Sequence, residues 1–170
     1  MKKTNYFYWT VMVMLMAFLG ACGDSGSGSG DSSSAALTSV TSGVAADPYI
    51  VGAIVEEISV DGKHVQFSNG PTNDRGEFTF PDPVLEGSTI RLKPGTEGMH
   101  GNAPYTGKLK RKVIGIDGSS VALTPLTTLA ANGMTSSEII KMMSDAGLPG
   151  LTEEDIYADP VAGLENLTSP

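Results

Sequence analysis

Short runs of alternating apolar and polar residues fill the middle of the chain. Turn sequences such as Asp61-Gly62 and Asn69-Gly70-Pro71 separate these runs. Six or seven short strands with turns at roughly 8–12-residue intervals are typical of a β-sandwich. The sequence therefore predicts a mainly β protein built on a small antiparallel β-sandwich. The predicted strands are rich in β-branched and aromatic residues and cover 49–55, 58–60, 63–67, 76–80, 89–93, 109–116 and 121–123.

Alternation also predicts which side chains face the core, because successive side chains of a strand point to opposite faces. Val65 and Phe67 share one face, with His64 and Gln66 on the other, and Phe78 and Phe80 share a face in a later strand. We expect the three phenylalanines to point inward and His64 to be solvated. Pro81 and Pro83 are expected to end the strand that contains Phe80.

Beyond residue 123 the pattern becomes helical. Pro125 suits the first turn of a helix that ends at Gly133. Thr135 with Glu138, and Thr152 with Asp155, have the spacing of capping boxes at the start of two further helices. Residues 124–170 are thus predicted to form short C-terminal helices that pack on a sandwich of residues 47–123.

The first 21 residues have a different character. Lys2 and Lys3 precede the uncharged stretch 6–18, which is apolar or aromatic apart from Thr10. This stretch is shorter than the about 20 residues that span a bilayer, and its layout is that of a secretory signal. Residues 1–21 are therefore predicted to be a cleaved signal helix.

The segment closes with Leu19-Gly20-Ala21-Cys22, a string that resembles the lipobox of bacterial lipoproteins. The resemblance implies that the Cys22 thiol receives a diacylglycerol, that a peptidase cleaves before it, and that the new amine is acylated. Cys22 is the only cysteine, so it can form no intrachain disulfide. Two alternative interpretations of Cys22 stay open. It could be an ordinary residue after a conventional cleavage site, or a free thiol behind an uncleaved helix.

The resemblance also bears on location. In lipoproteins of two-membrane bacteria, Asp directly after the cysteine favours inner-membrane retention, and here that position is Gly23, with Asp24 next. The expected location is the outer membrane, facing the periplasm or the cell surface. Because Gly and Ser dominate residues 22–46, this segment is predicted to be a flexible, disordered tether.

The charge of the chain excludes one class of partner. Loss of residues 1–21 would remove Lys2 and Lys3 and take the formal charge from −8 to −10. An acidic balance of this size argues against nucleic acid, because phosphate binding needs a basic face. The expected partners are the membrane, through the anchor, and an envelope protein or polymer.

The string Thr72-Asn73-Asp74-Arg75-Gly76-Glu77-Phe78-Thr79-Phe80 follows the run Ile50-Val51-Gly52-Ala53-Ile54. Together they resemble the signature of carboxypeptidase-regulatory-like and Cna-type B domains, which are transthyretin-like β-sandwiches of surface and secreted proteins. Asn73 stands where Asp is usual, and Gly76 would take the left-handed turn conformation. The resemblance covers about residues 47–95. It implies a rigid spacer or stalk and supplies no catalytic residues.

Candidate catalytic and metal-binding groups are few. His64 and His100 have no second histidine at ligand spacing. Glu56 and Glu57 should point to opposite faces of a strand, which excludes an acid–base pair acting on one substrate. We therefore expect neither an enzyme nor a metal cofactor. A calcium site is also not expected, because the available oxygen donors do not follow an EF-hand loop: Asn73, Asp74 and Glu77, with Asp61 or Asp82.

A cationic strand is the first of two candidate binding surfaces. Lys108, Lys110 and Lys112 share one face of a predicted edge or exposed strand, with Leu109 and Arg111 opposite. Such lysines protect an edge from pairing with other chains. They could also contact anionic partners such as lipopolysaccharide, phospholipid headgroups or an acidic protein.

The second candidate surface is the Gly- and Pro-rich segment 94–107. It carries His100, Asn102 and Tyr105, which form a speculative ligand-binding set because loops on a rigid sandwich often hold such sites. The sequence as a whole predicts a lipid-anchored, non-catalytic envelope protein with a structural or interaction role. The alternative is a module that binds a glycan, peptide or envelope polymer through this segment.

Overall fold

The computed structural model describes residues 39–96 and 98–162. The predicted signal helix, Cys22 and the tether up to residue 38 lie outside these residues. Within them, no helix is long and apolar enough to cross a membrane. The described elements are β1 (Ser39–Ala45), β2 (Ile50–Val51), β3 (Val55–Ile58), β4 (Val65–Phe67), β5 (Glu77–Leu85), β6 (Thr89–Leu92), β7 (Met99–His100), β8 (Ala103–Pro104), β9 (Lys110–Lys112), β10 (Ser120–Leu123), α1 (Pro125–Ala131), α2 (Ser136–Asp145) and α3 (Glu153–Tyr157).

The strands form two larger sheets and one small sheet. The larger sheets have the orders β10-β1-β5 and β4-β3-β6-β9, and the small sheet has the order β2-β7-β8. The pairings are antiparallel except that of β1 with β10, which is parallel. Both larger sheets contribute side chains to one core, including Val40, Phe78, Val55 and Ile90. The predicted mainly β fold with short C-terminal helices is confirmed.

Strand β1 corrects the predicted extent of the tether, which was placed over residues 22–46. Residues 39–45 instead form the central strand of their sheet, and Val40, Ala45 and Ala46 are fully buried. Small residues are required here because a Cβ on Gly43 would overlap the Phe78 ring and the backbone of Val121. A sequence with the composition of a linker is therefore part of the core.

The predicted facing of β4 is wrong. Val65 and Phe67 are 46% and 43% exposed, whereas Gln66 is buried. The Gln66 side-chain amide donates to the carbonyl of Asp82 at 3.1 Å and accepts from its N–H at 3.2 Å. Burying Gln66 satisfies these backbone groups and links β4 to β5.

Strand β5 does not end at Pro81 as predicted but continues to Leu85. It is an edge strand of its sheet, where prolines are tolerated because no ladder partner needs their missing N–H. The register with β1 shifts between Val40 and Ser42, beside the two prolines. Phe78 and Phe80 are buried as predicted, with their rings edge to face at 5.5 Å.

The turn before β5 confirms the expected role of Gly76. Its φ of 70° is left-handed, and a Cβ there would overlap the carbonyl oxygen of Ala45. The side-chain oxygen of Asn73 accepts from the N–H groups of Arg75 and Glu77, both at 2.9 Å. In this Asx turn the side-chain oxygen of Asn73 is used by backbone N–H groups.

The helices begin where the capping signals place them. Capping boxes join Thr135 to Glu138 and Thr152 to Asp155. Helix α1 begins after Thr124, whose side chain accepts from the N–H of Thr127. The cap hydrogen bonds lower the pKa of both Glu138 and Asp155, because they favour the charged carboxylates.

Buried Arg111 joins the C-terminal helices to the sheets. Its guanidinium donates to the carbonyls of Ala122 at 3.2 Å and Tyr157 at 3.0 Å, and it forms an ion pair with Asp117. It also lies 4.9 Å from the centroid of the Tyr157 ring. A single side chain of β9 thus contacts β10, α3 and the turn after β9.

Candidate functional site

A cleft of about 550 Å³ opens at the end of β6, between the segment that precedes β9 and helix α1. Its volume lies within the range of about 300–1,000 Å³ that is usual for small-molecule sites. Buried Ala53 and Leu109 and half-buried Leu92 form its apolar floor. Thr128 and Asn132 line it from the side of α1.

Four cationic residues line this cleft, and none of its described lining residues is acidic. Arg91 and Lys110 are register partners on neighbouring strands, so their side chains share one face of the sheet. Lys93 follows β6, and its ammonium lies 4.5 Å from the centroid of the Phe67 ring. The fourth cationic residue, Lys108, lies in the segment that precedes β9.

Sequence reasoning found the lysines of β9 but missed Arg91 and Lys93. The signal was the alternation Arg91-x-Lys93, which matches the alternation Lys108-x-Lys110. Only the antiparallel pairing of β6 with β9 turns the two short patterns into one cluster.

Tyr105 lines the cleft, but its hydroxyl is not free for a ligand. It donates to the carboxylate of Asp47 at 3.0 Å, and a Cβ on Gly107 would overlap its ring. Burial first, and then the hydrogen bond and charge of Asp47, raise the pKa of Tyr105 above its ordinary value. The ring is therefore held in place as a protonated phenol and offers the cleft an aromatic surface.

The structure separates Tyr105 from the two residues grouped with it in the sequence. His100 and Asn102 lie at the tip of the β7–β8 hairpin, are exposed, and do not line the cleft. The segment 94–107 is also not an open loop throughout, because β7 pairs with β2 and with β8. The three side chains do not form one site.

Strand β9 is the edge of its sheet, as predicted, but part of its free side is covered. The N–H of Lys110 donates to the hydroxyl of Thr128 at 2.9 Å. Its carbonyl accepts from the hydroxyls of Thr127 and Thr128, each at 3.3 Å. Helix α1 therefore occupies the backbone N–H and carbonyl of Lys110 on this edge and forms one wall of the cleft.

The side chains on the face of β9 opposite the lysines are buried, and of these only Leu109 also lines the cleft. Leu109, Arg111 and Val113 are 3%, 2% and 1% exposed. The cationic cluster is thus formed by the lysines and not by Arg111, whose charge is paired inside the protein.

A second, acidic cleft of about 530 Å³ includes Glu57, His64, Asp82 and Glu86. Among the described residues, buried Glu57 Oε2 accepts no hydrogen bond, although His64 Nδ1 lies 3.4 Å away. The His64 side chain is 61% exposed, in agreement with the prediction of a solvated residue.

Glu56 and Glu57 point to opposite faces of β3, as predicted, since Glu56 shares a face with Arg91 and their side chains pair at 2.6 Å. Both glutamates are nevertheless buried. In the described part of the chain, no group of three or more His, Cys, Asp or Glu residues could hold a metal ion.

Comparisons of the chain with protein-family models, with curated proteins and with solved structures found no match.

Proposed function

We propose that this chain is a lipid-anchored cell-envelope protein whose β-sandwich has a structural or interaction role rather than a catalytic one. The observation that carries the proposal is the string Leu19-Gly20-Ala21-Cys22, placed after two lysines and an uncharged, mostly apolar stretch. Its resemblance to a lipobox implies acylation of Cys22. The resemblance of residues 47–95 to spacer domains of surface proteins supports the same role.

The position of β1 fits a domain held close to a membrane. Sixteen residues, 23–38, separate Cys22 from Ser39, and Gly and Ser dominate them. A flexible chain of this length has a root-mean-square reach of about 20–24 Å. This reach would keep the sandwich next to the headgroup region of its own membrane.

Metabolic labelling with an alkynyl fatty acid tests the anchor. We expect the wild-type chain to be labelled and the Cys22→Ser chain to remain unlabelled, because no other cysteine is present. Ser25→Ala is the matched control in the same segment and should label like the wild type. Equal labelling of the Cys22→Ser chain would refute the lipoprotein assignment.

Ligand binding is a second candidate function, and the cleft beside Tyr105 is the observation that favours it. The site would then be the cleft between β6, β9 and α1 and not the whole 94–107 segment. Envelope fractions retained by immobilised protein provide the test. Tyr105→Ala should lose a retained component, whereas His100→Ala should keep it, because His100 lies outside the cleft. Equal retention by the two variants would remove the cleft as the site.

A further inference from the structure

We infer that the cleft binds a small amphiphilic anion, meaning a carboxylate or phosphate head joined to an apolar body. This inference rests on the proposed ligand-binding role and adds the chemical class of the ligand. Three features of the cleft support it: lysines with no carboxylate partner among the described residues, an apolar floor and a preorganised aromatic wall.

Three of the four cations that line the cleft have no carboxylate partner among the described residues, and the fourth, Arg91, pairs with Glu56. Lys63, Arg111 and Lys141 each form an ion pair with an acidic side chain. By contrast, the ammonium groups of Lys93, Lys108 and Lys110 form no ion pair with any carboxylate of residues 39–96 and 98–162. The described part of the cleft thus carries three ammonium groups without a carboxylate partner, and such a cluster attracts an anion even on a chain with a formal charge of −8.

The type of cation sets the selectivity for the head group. Arg91 already donates through Nε to Glu56, so part of its guanidinium group is not available to a ligand. The remaining charges are ammonium groups, which act as point charges on mobile stems and do not demand one planar geometry. Lysines bind carboxylate and phosphate alike, and both heads therefore belong to the same class of ligand.

The floor and wall of the cleft favour an apolar body behind that head. Ala53, Leu92 and Leu109 belong to or pack against the central core, so this surface is rigid. The Tyr105 ring is held by Asp47 and by its close approach to Gly107, and it needs no reordering when a ligand enters. Such preorganisation lowers the entropic cost of binding.

The test uses the full chain in phosphatidylcholine nanodiscs and follows the backbone amide signals of Gly107, Lys108 and Leu109 by NMR. Three probes are titrated: 4-phenylbutanoate, its neutral analogue 4-phenylbutanamide, and inorganic phosphate. We expect 4-phenylbutanoate to shift these signals with roughly tenfold higher affinity than the amide, since a hydrogen bond to a charged group typically contributes about that factor. Inorganic phosphate should bind more weakly than 4-phenylbutanoate, because it lacks the apolar body.

Two double variants test whether the cationic residues of the cleft cause this preference. Lys108→Gln with Lys110→Gln should abolish the preference for 4-phenylbutanoate over the amide. Lys63→Gln with Lys112→Gln changes the formal charge by the same amount at lysines that do not line the cleft, and it should keep that preference. The amide spectrum of each variant shows directly whether it is folded.

The outcomes separate the ligand class from the binding role. If the acid and the amide bind the cleft equally, the cleft is a ligand site but the inferred anion class is wrong. Binding of inorganic phosphate as tight as that of 4-phenylbutanoate would refute the amphiphilic part. If no probe shifts the three amide signals, the inference is refuted, whereas the ligand-binding role is judged by the retention assay with Tyr105→Ala and the lipid anchor by the labelling of Cys22.

Discussion

Replacing Arg111 by methionine would leave the Asp117 carboxylate buried without its partner. The side chains of this pair are only 3% and 2% exposed. Methionine keeps much of the volume and the apolar stem of arginine, so packing changes little. The charge is lost, together with the hydrogen bonds to the carbonyls of Ala122 and Tyr157.

The expected cost of this substitution is large. Removing one partner of a buried ion pair typically costs about 3–5 kcal/mol, because the other charge stays buried and uncompensated. The total stability of a domain is about 5–15 kcal/mol. At roughly 3–5 °C per kcal/mol for a domain of this size, the midpoint of thermal unfolding should fall by about 9–25 °C.

Thermal unfolding followed by circular dichroism provides the assay, on a chain without residues 1–34, which lie outside the unit that contains the sandwich. Lys112→Met is the matched control, because Lys112 is an exposed neighbour on the same strand. It should melt close to the wild type. If Arg111→Met also melted close to the wild type, Arg111 would not hold the C-terminal helices to the sheets.

A double variant separates the orphaned charge from the loss of contacts. Asp117→Asn can still accept from the N–H of Ile114, which donates to Asp117 at 2.8 Å. Combined with Arg111→Met, it removes both charges and should recover part of the lost stability. A double variant less stable than Arg111→Met alone would show that the cost does not arise from the unpaired carboxylate.

Three further predictions follow from other parts of the molecule. Phe78→Ala should lower the free energy of unfolding by about 3–5 kcal/mol and the melting temperature accordingly, because its ring is buried. Phe67→Ala should change the melting temperature little, because its ring is exposed. Equal changes in melting temperature would contradict the facing assigned to β4. The raised pKa of Tyr105 means that its protonated form stabilises the folded state, so this contribution is present below pH 10 and is lost as the pH rises further. Unfolding measured above pH 10 should therefore depend less on pH in Tyr105→Phe, and an unchanged slope would refute this. Gly23→Asp should move the protein toward the inner-membrane fraction of a density gradient, and unchanged sorting would refute outer-membrane placement.

The features predicted best from the sequence were those determined locally. A capping box joins residues three apart, so Thr135 with Glu138 and Thr152 with Asp155 could be recognised without tertiary structure. The left-handed turn at Gly76 is of the same kind. Each can be recognised from residues a few positions apart in the sequence.

The facing of β4 could not be obtained in this way. Alternation reveals a period of two but not which face is buried, and hydrophobicity favoured Phe67 over Gln66. The deciding partner of Gln66 is the backbone of Asp82, 16 residues away. The hydrogen bonds that Gln66 makes to this distant backbone segment therefore outweigh the preference for burying Phe67.

Strand β1 was missed for a related reason. Its small residues have the composition of a linker, but Gly43 is small because the Phe78 ring packs against it. Likewise, the candidate cleft was only partly predictable. Tyr105, Lys108 and Lys110 were identified, whereas His100 and Asn102 were grouped with Tyr105 by sequence proximity alone and lie at the tip of the β7–β8 hairpin, outside the cleft.

The entry of the chain into the fold has a mechanical consequence. The first described strand, β1, is the centre of its sheet and pairs with β5 on one side and β10 on the other. A membrane anchor upstream of Ser39 would transmit tension along the axis of this strand. Ladder hydrogen bonds run across the strands, so such tension would load them in shear and many would have to break together. Entry through an edge hairpin would instead let the bonds open one after another. The central position of β1 would therefore help the domain to resist unfolding if the chain before it were pulled.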